Sequence, residues 1–149
     1  LYFIRASDGV LLKTMSTGAG TAGSPSGLGH PSGYTKDFHN QLAEQIYAGD
    51  LQGGFWRFDV SDPDPNNWTV GQMATLVDAL GVAQPVTTAP QIELDISNGI
   101  DRWVFVGTGK MYDDSDLVNG QIQTMYALRD GTLVASVAQE GLVRQRRET

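Results

Sequence analysis

Residues 45–60 read QIYAGDLQGGFWRFDV. An apolar run enters the cluster Gly49-Asp50-Leu51-Gln52-Gly53-Gly54 and leaves it at once through Phe55-Trp56-Arg57-Phe58. Two β-favouring runs that bracket glycine and aspartate predict a hairpin. Glycine supplies positive φ in such a turn and Asp50 can accept from nearby backbone amides, so the role expected of the cluster is structural.

The same grammar extends outward from this stretch. Short β-branched and aromatic runs recur between Gly, Asp, Asn and Pro punctuation, and helical periodicity is nearly absent. The chain reads as all-β. Strands are predicted near residues 1–6, 10–16, 44–49, 54–60, 91–96, 102–107, 122–128 and 132–138. Turns are predicted at Ser7-Asp8-Gly9, at 49–54, at Asn98-Gly99 and at Asp130-Gly131. One segment dissents: in VGQMATLVDALG, Val70, Met73, Val77 and Leu80 sit at helical spacings and allow a short helix. The Gly, Ser and Pro-rich run TGAGTAGSPSGLGHPSG (17–33), with the polar residues up to 43, is predicted to be one long inter-strand loop.

An internal repeat organises these runs. LYFIRASDGVLL (1–12) and MYALRDGTLV (125–134) share an apolar residue, Tyr, a gap, an aliphatic residue, Arg, then Asp-Gly and an apolar strand; FWRFDVSD (55–62) fits the frame with Trp56 in the Tyr position. Tyr2, Trp56 and Tyr126 are spaced by 54 and 70 residues, the length of one to two four-stranded propeller blades. Trp103-Val104-Phe105-Val106 is apolar on both faces, so it requires cover on both sides, as stacked blades provide.

Composition narrows the function classes. At 149 residues, with 40% hydrophobic and 18% charged content, the chain has the size and balance of one globular domain. No apolar run approaches the roughly 20 residues of a membrane-spanning helix. A net charge of −7 disfavours nucleic acid and anionic lipid as partners. There is no cysteine, which removes disulfides, thiolate metal sites and cysteine nucleophiles. A strand-like opening without an initiator Met suggests a piece of something longer, and the closing RQRRET reads as a solvated tail.

Taken together, the motifs resemble the C-terminal β-propeller domain of the type IV pilus tip adhesin and biogenesis family, the PilC/PilY proteins. IYAGDLQGGFWRFDVS is similar to that family's signature hairpin, which usually has Asn where Gly54 stands here. The likeness continues through QPVTTAP (84–90), WVFVGTGKMYDDSDL (103–117), QTMYALRDG (123–131) and LYFIRASDGVLLKTMSTG (1–18). It implies that MATLV (73–77) is a strand turning at Asp78 to Gly81, and that residues 1–149 form part of a propeller, two to three blades, with the rest of the parent chain needed to close the ring. It also implies a binding and assembly role in supporting pilus assembly, opposing retraction and contacting surfaces or host cells. The implied partners are minor pilins and surface or host-cell ligands. The implied location is extracellular, at the pilus tip, with periplasmic or outer-membrane association.

The family often carries a calcium loop just before the YAGD strand, since Ca²⁺ takes six to eight oxygen ligands. The matching positions here are Lys36, Phe38, Asn40 and Glu44, of which only the last two donate oxygen, so the loop reads as degraded. Asp62, Asp64 and Asn66 alternate in DPDPNNW, but the twelfth position is Met73 where a bidentate Glu belongs. Asp113, Asp114 and Asp116 lack an enclosing ligand set. Both clusters read as surface turns. Gly18-Ala19-Gly20-Thr21-Ala22-Gly23 fits G-x-G-x-x-G, yet SPSGLGHPSG cannot supply the helix whose N-terminus would hold a pyrophosphate. GTGK (107–110) lacks phosphate-loop spacing. His30 and His39 have no nearby triad partners and read as surface histidines.

Trp56 and Trp103 are expected in the core, and Trp68 is the tryptophan expected to be exposed. Asn67-Trp68-Thr69 is a formal glycosylation sequon, relevant only in a secretory host, and Arg129-Asp130-Gly131 reads as a turn. No catalytic, cofactor-binding or metal residue is assigned, and the expectation is a non-enzymatic module. The rivals are a quinoprotein-like propeller dehydrogenase, which needs a calcium-bound quinone with Asp and Arg nearby, and a carbohydrate-binding propeller using Trp68.

Overall fold

A computed structural model describes residues 1–97, 99–131 and the backbone of 143–145. Twelve strands appear in it: β1 (Tyr2–Ile4), β2 (Leu11–Thr14), β3 (Gly20–Thr21), β4 (Ser24–Pro25), β5 (Ser32–Tyr34), β6 (Gln45–Gly49), β7 (Gly54–Asp59), β8 (Thr69–Thr75), β9 (Gln91–Leu94), β10 (Arg102–Gly107), β11 (Met125–Asp130) and β12 (Val143–Gln145). The only helical turns among the described residues are two 3-10 segments, Pro65–Asn67 and Asp114–Val118. The protein is all-β.

The strands form two four-stranded antiparallel meanders, β5-β6-β7-β8 and β9-β10-β11-β12, together with the hairpins β1-β2 and β3-β4. Each meander has the make-up of a propeller blade. The sequence repeat falls on equivalent strands, because β7 and β11 are both third in their meanders. By the same frame β1 and β2 are the third and fourth strands of a further blade.

Two cores separate these layers. Tyr47, Phe55, Met73, Leu76 and Val86 of the first meander and its outgoing connection pack with Val104, Val106, Tyr126 and Leu128 of the second. On its other face the first meander packs Ala48, Trp56, Phe58 and Val60 with Met15, and Leu1 and Phe3 lie against that cluster. Strand alternation produces this division: Trp56 and Phe58 point one way, Phe55 the other. Trp56 and Tyr126, the aromatics of the repeat, therefore each face the preceding layer. Gly49 sets the spacing of the seam, since a Cβ there would lie 2.4 Å from Val86 Cβ.

Several expectations need adjustment. The helical spacing of Val70 to Leu80 gives way to strand β8, which starts at Thr69, four residues before the expected 73–77; the chain then turns at Asp78 to Gly81, where the Gly81 amide donates to Asp78 O at 3.1 Å. Met73 is buried while Leu80 is 88% exposed, so the two do not share a face. The 17–43 segment is not one irregular loop. It holds β3, β4 and β5, strands too short for periodicity to reveal, and β5 is the first strand of a meander through its pairing with β6. The strand expected at 122–128 runs Met125–Asp130, so Asp130 is the last residue of a strand, and the continuation of the expected Asp130-Gly131 turn lies outside the described residues. The predicted strand at 132–138 and the tail after residue 145 lie outside the described residues, as does Asn98 of the Asn98-Gly99 turn.

Candidate functional site

Asp50 holds the hairpin of residues 45–60 together. Its side chain is buried; Oδ1 accepts from the amides of Gln52 (2.9 Å) and Gly54 (2.8 Å), and Oδ2 accepts from Trp56 Nε1 (2.8 Å). One carboxylate thus satisfies the turn's donors and fixes the indole that fills the core behind it. Gly53 sits at φ +78°, where L side chains are strained. At Gly54 a Cβ would meet Asp50 Oδ2 at 2.5 Å and Trp56 Nε1 at 2.7 Å, so this turn is built for glycine at that position.

The second cluster lies on the seam between the meanders. Asp130, at the end of β11, is buried and its side chain accepts three hydrogen bonds, from Tyr47 Oη (2.5 Å), Arg102 Nη2 (3.2 Å) and Arg57 Nη1 (2.9 Å); Arg102 Nε also donates to Tyr47 Oη at 3.0 Å.

 The three donors to the carboxylate come from β6, β10 and β7, and the bond between Arg102 Nε and Tyr47 is the fourth of the cluster. Arg57 also pairs with Asp59 at 2.8 Å, and the Arg102 guanidinium lies over the Tyr34 ring at 4.8 Å. Burial raises the Tyr47 phenol well above its ordinary value, with Asp130 adding to the effect. Burial alone would lower Arg57 and Arg102, but Asp130, Asp59 and the Tyr47 oxygen outweigh it and both guanidiniums are held more firmly charged. Every charge here is spent on another side chain. An open cleft of about 210 Å³ lies beside the cluster, lined by Arg57, Asp59 and Asp130 and by β8 residues including Gln72.

Elsewhere the polar side chains mostly hold their own loops. Lys36 and Phe38 occupy the first two calcium-type positions, Phe38 is exposed, and Asn40 Oδ1 accepts from the Leu42 amide at 2.9 Å. A cation and a phenyl ring in place of oxygen donors do not fit Ca²⁺. Asp62 and Asp64 accept from the amides two residues on, and Asp64 caps the 3-10 turn at Pro65. Asp113 caps the turn at Asp114, while Asp116 takes Lys110 Nζ at 2.7 Å and the Tyr112 amide at 2.8 Å. Among the described residues no three His, Cys, Asp or Glu side chains gather as a metal site.

The glycine run 18–23 enters the β3-β4 hairpin, and Gly109 of GTGK bridges Val86. His30 and His39 are exposed. Trp56 is buried, but Trp103 is only half-buried, with the Arg129 guanidinium 5.9 Å from its ring, because no described strand covers that face of the second meander. Trp68 is not the free platform expected. It packs edge-on against Phe3, with centroids 4.7 Å apart, and its Nε1 donates to Asp62 O at 2.7 Å. The Asn67 amide donates to Asp62 Oδ2 at 3.1 Å.

Comparison with known proteins fits this architecture. Residues 1–145 match the PilY1 beta-propeller domain. The chain belongs to the PilY1 family. A type IV pilus biogenesis factor PilY1 homolog of Xylella fastidiosa is 38% identical over 64% of this chain and 8% of its own length. The type IV pilus biogenesis factor PilY1 of Pseudomonas aeruginosa is 30% identical over 87% of this chain and 13% of its own length. The crystal structure of the Pseudomonas aeruginosa PilY1 C-terminal domain superposes with a TM-score of 0.74 at 26% identity, covering 87% of this chain and 31% of that one. The chain thus spans a small part of the PilY1 proteins it matches, and its fold is a segment of a PilY1-type propeller.

Within that PilY1 fold, the seam cluster is what sequence reasoning missed. Asp130 looked like a turn residue because Gly131 follows it, and Tyr47 and Arg102 looked like ordinary strand residues. The available signal was a charge inside or at the end of each of three β runs, Arg57, Arg102 and Asp130. Buried charges must be paired, so an unlike pair across strands was the physical expectation to draw.

Proposed function

We propose that this chain is a binding and assembly module of a type IV pilus-associated protein, acting at the cell surface without catalysis. The observation that carries the reading is the match of residues 1–145 to the PilY1 beta-propeller domain, together with relatives named as type IV pilus biogenesis factors. The geometry is consistent with it: the charged groups of the seam neutralise one another, and the carboxylate loops are occupied with their own backbone. In this role the stacked meanders are a scaffold. The loops at their ends make the contacts, with minor pilins on one side and with surfaces or host cells on the other. The module supports pilus assembly and opposes retraction, placing the parent protein at the pilus tip with periplasmic or outer-membrane association before export.

The test is genetic. Deletion of these residues from the parent protein in its own bacterium is expected to reduce surface pili and adhesion, and removal of the retraction motor in the same strain is expected to restore part of the pili. Normal piliation and adhesion after the deletion would overturn the assignment. Loss of pili that motor removal does not relieve would leave assembly and remove the retraction role.

A further inference from the structure

Two long connections meet at one end of the meanders. Residues 76–90 lead from β8 to β9, and residues 108–124 lead from β10 to β11. Both carry large apolar side chains in solvent: Leu80, Val82, Tyr112, Leu117, Val118 and Ile122, with Leu80 88% and Val118 85% exposed. Connections normally turn polar residues outward, and contiguous exposed apolar groups mark interaction surfaces.

These connections are built, not loose. Gln121 Nε2 donates to Asp78 Oδ2 and to Ala83 O, each at 3.0 Å, and Gln84 Nε2 donates to Ile122 O at 2.7 Å, which ties one connection to the other. The Thr108 amide donates to Thr124 O at 2.9 Å and closes the base of the 108–124 loop. Inside that loop the Asp116 side chain is 3% exposed and holds Lys110 and the amide of Tyr112, while Asp113 caps the adjoining turn. A loop fixed by this many bonds presents its apolar residues in one arrangement, so little ordering entropy remains to be lost on binding.

Charge decides the partner. Asp113 and Asp114 are exposed beside Leu117 and Val118, and Lys110, the basic residue of this loop, is already paired with Asp116. The rim is therefore negative, which disfavours nucleic acid and anionic lipid, and a second copy would bring the same negative rim against it. We propose that the paired connections 76–90 and 108–124 form a preorganised docking surface for a protein segment that combines aliphatic and basic side chains. This surface needs nothing from the pilus assignment, and it can fail while that assignment stands.

The test uses the intact parent protein and two fluorescent peptides of equal length, one alternating Leu and Lys, the other alternating Leu and Glu. Leu117→Ser with Val118→Ser removes the apolar centre, Asp114→Lys reverses the rim, and Asp37→Lys makes the same charge change in the β5-β6 loop. The Leu-Lys peptide is expected to bind at least about tenfold more tightly than the Leu-Glu peptide, and both surface variants are expected to lose about tenfold, with Asp37→Lys within about twofold of the unaltered protein. Absence of binding, equal binding of the two peptides, or equal loss in Asp37→Lys and Asp114→Lys overturns the proposal. If the double serine variant does not fold, the comparison of the two lysine variants decides alone, with unchanged melting temperature as the check on each.

Discussion

Asp50 joins a turn to a core through one side chain, and that makes its replacement informative. Asp50→Ala strands the buried Gly54 amide and the Trp56 indole N–H together. The expected cost is about 2–6 kcal/mol, at about 1–3 kcal/mol for each of the two buried donors left without a partner. Asp50→Asn keeps an acceptor for the amides but sets an NH₂ group against the indole N–H, so an intermediate loss is expected. Urea unfolding of the three proteins measures the order, and equal stability of all three would contradict the geometry. The turn role of Asp50 was readable from sequence, because Asp between glycines beside two β runs has few other uses. Its bond to Trp56 was not, since that depends on the register that brings the indole round to the turn.

At the scale of elements, β6, β7, β10 and β11 are joined by the Asp130 cluster. Removing the carboxylate leaves Arg57 and Arg102 facing each other without their shared anion. Asp130→Ala is expected to cost about 3–5 kcal/mol, the range for breaking one partner out of a buried charge network. Asp130→Asn, which keeps the shape and loses the charge, should fall short of recovery because the arginines still lack their anion. Thermal unfolding distinguishes these outcomes. The strands themselves were legible where the runs were long, as in β6, β7 and β10. The short strands β3, β4 and β5 carry two or three residues each, too few for alternation to stand out from loop composition.

The same cluster gives the protein a pH dependence whose sign can be worked out. Tyr47 has a folded value raised above its ordinary 10.0, so its contribution is complete below pH 10 and is lost as pH rises through the higher folded value. Asp59 has a folded value lowered below 3.8: burial opposes the shift, and the bonds from Ser61 and Arg57 overcome it. Its contribution is present above pH 3.8 and disappears as pH falls below it. Melting temperature should therefore decline on both the acid and the alkaline side. Tyr47→Phe should flatten the alkaline decline while losing about 1 kcal/mol at neutral pH, the usual net worth of a hydrogen bond.

For the whole molecule, three equivalent aromatics report how the layers stack. Trp56 is 8% exposed and Tyr126 2%, because each meets the layer before it, whereas Tyr2 is 71% exposed. Tyr126→Ser is expected to destabilise the protein by about 3–5 kcal/mol, the range for deleting a buried aromatic. Tyr2→Ser in the same chain should change stability by less than about 0.5 kcal/mol, as for an ordinary surface substitution. Chemical denaturation of both variants measures the contrast. The repeat itself was visible because Tyr, then Arg three positions on, then Asp-Gly, recur in the same order in 1–12 and 125–134. What each copy faces was not visible, because the facing surface comes from residues tens of positions away.

The clustered charges at the seam also constrain how the layers can be ordered. A neighbour that offered no guanidinium or phenol opposite Asp130 would leave that buried carboxylate with Arg102 of its own meander as its remaining partner, and the loss of the Tyr47 and Arg57 bonds would take a sizeable part of a domain's net stability. Mispaired layers would thus be rejected as they form, and the chain carries its own proofreading of layer succession in a single acidic side chain.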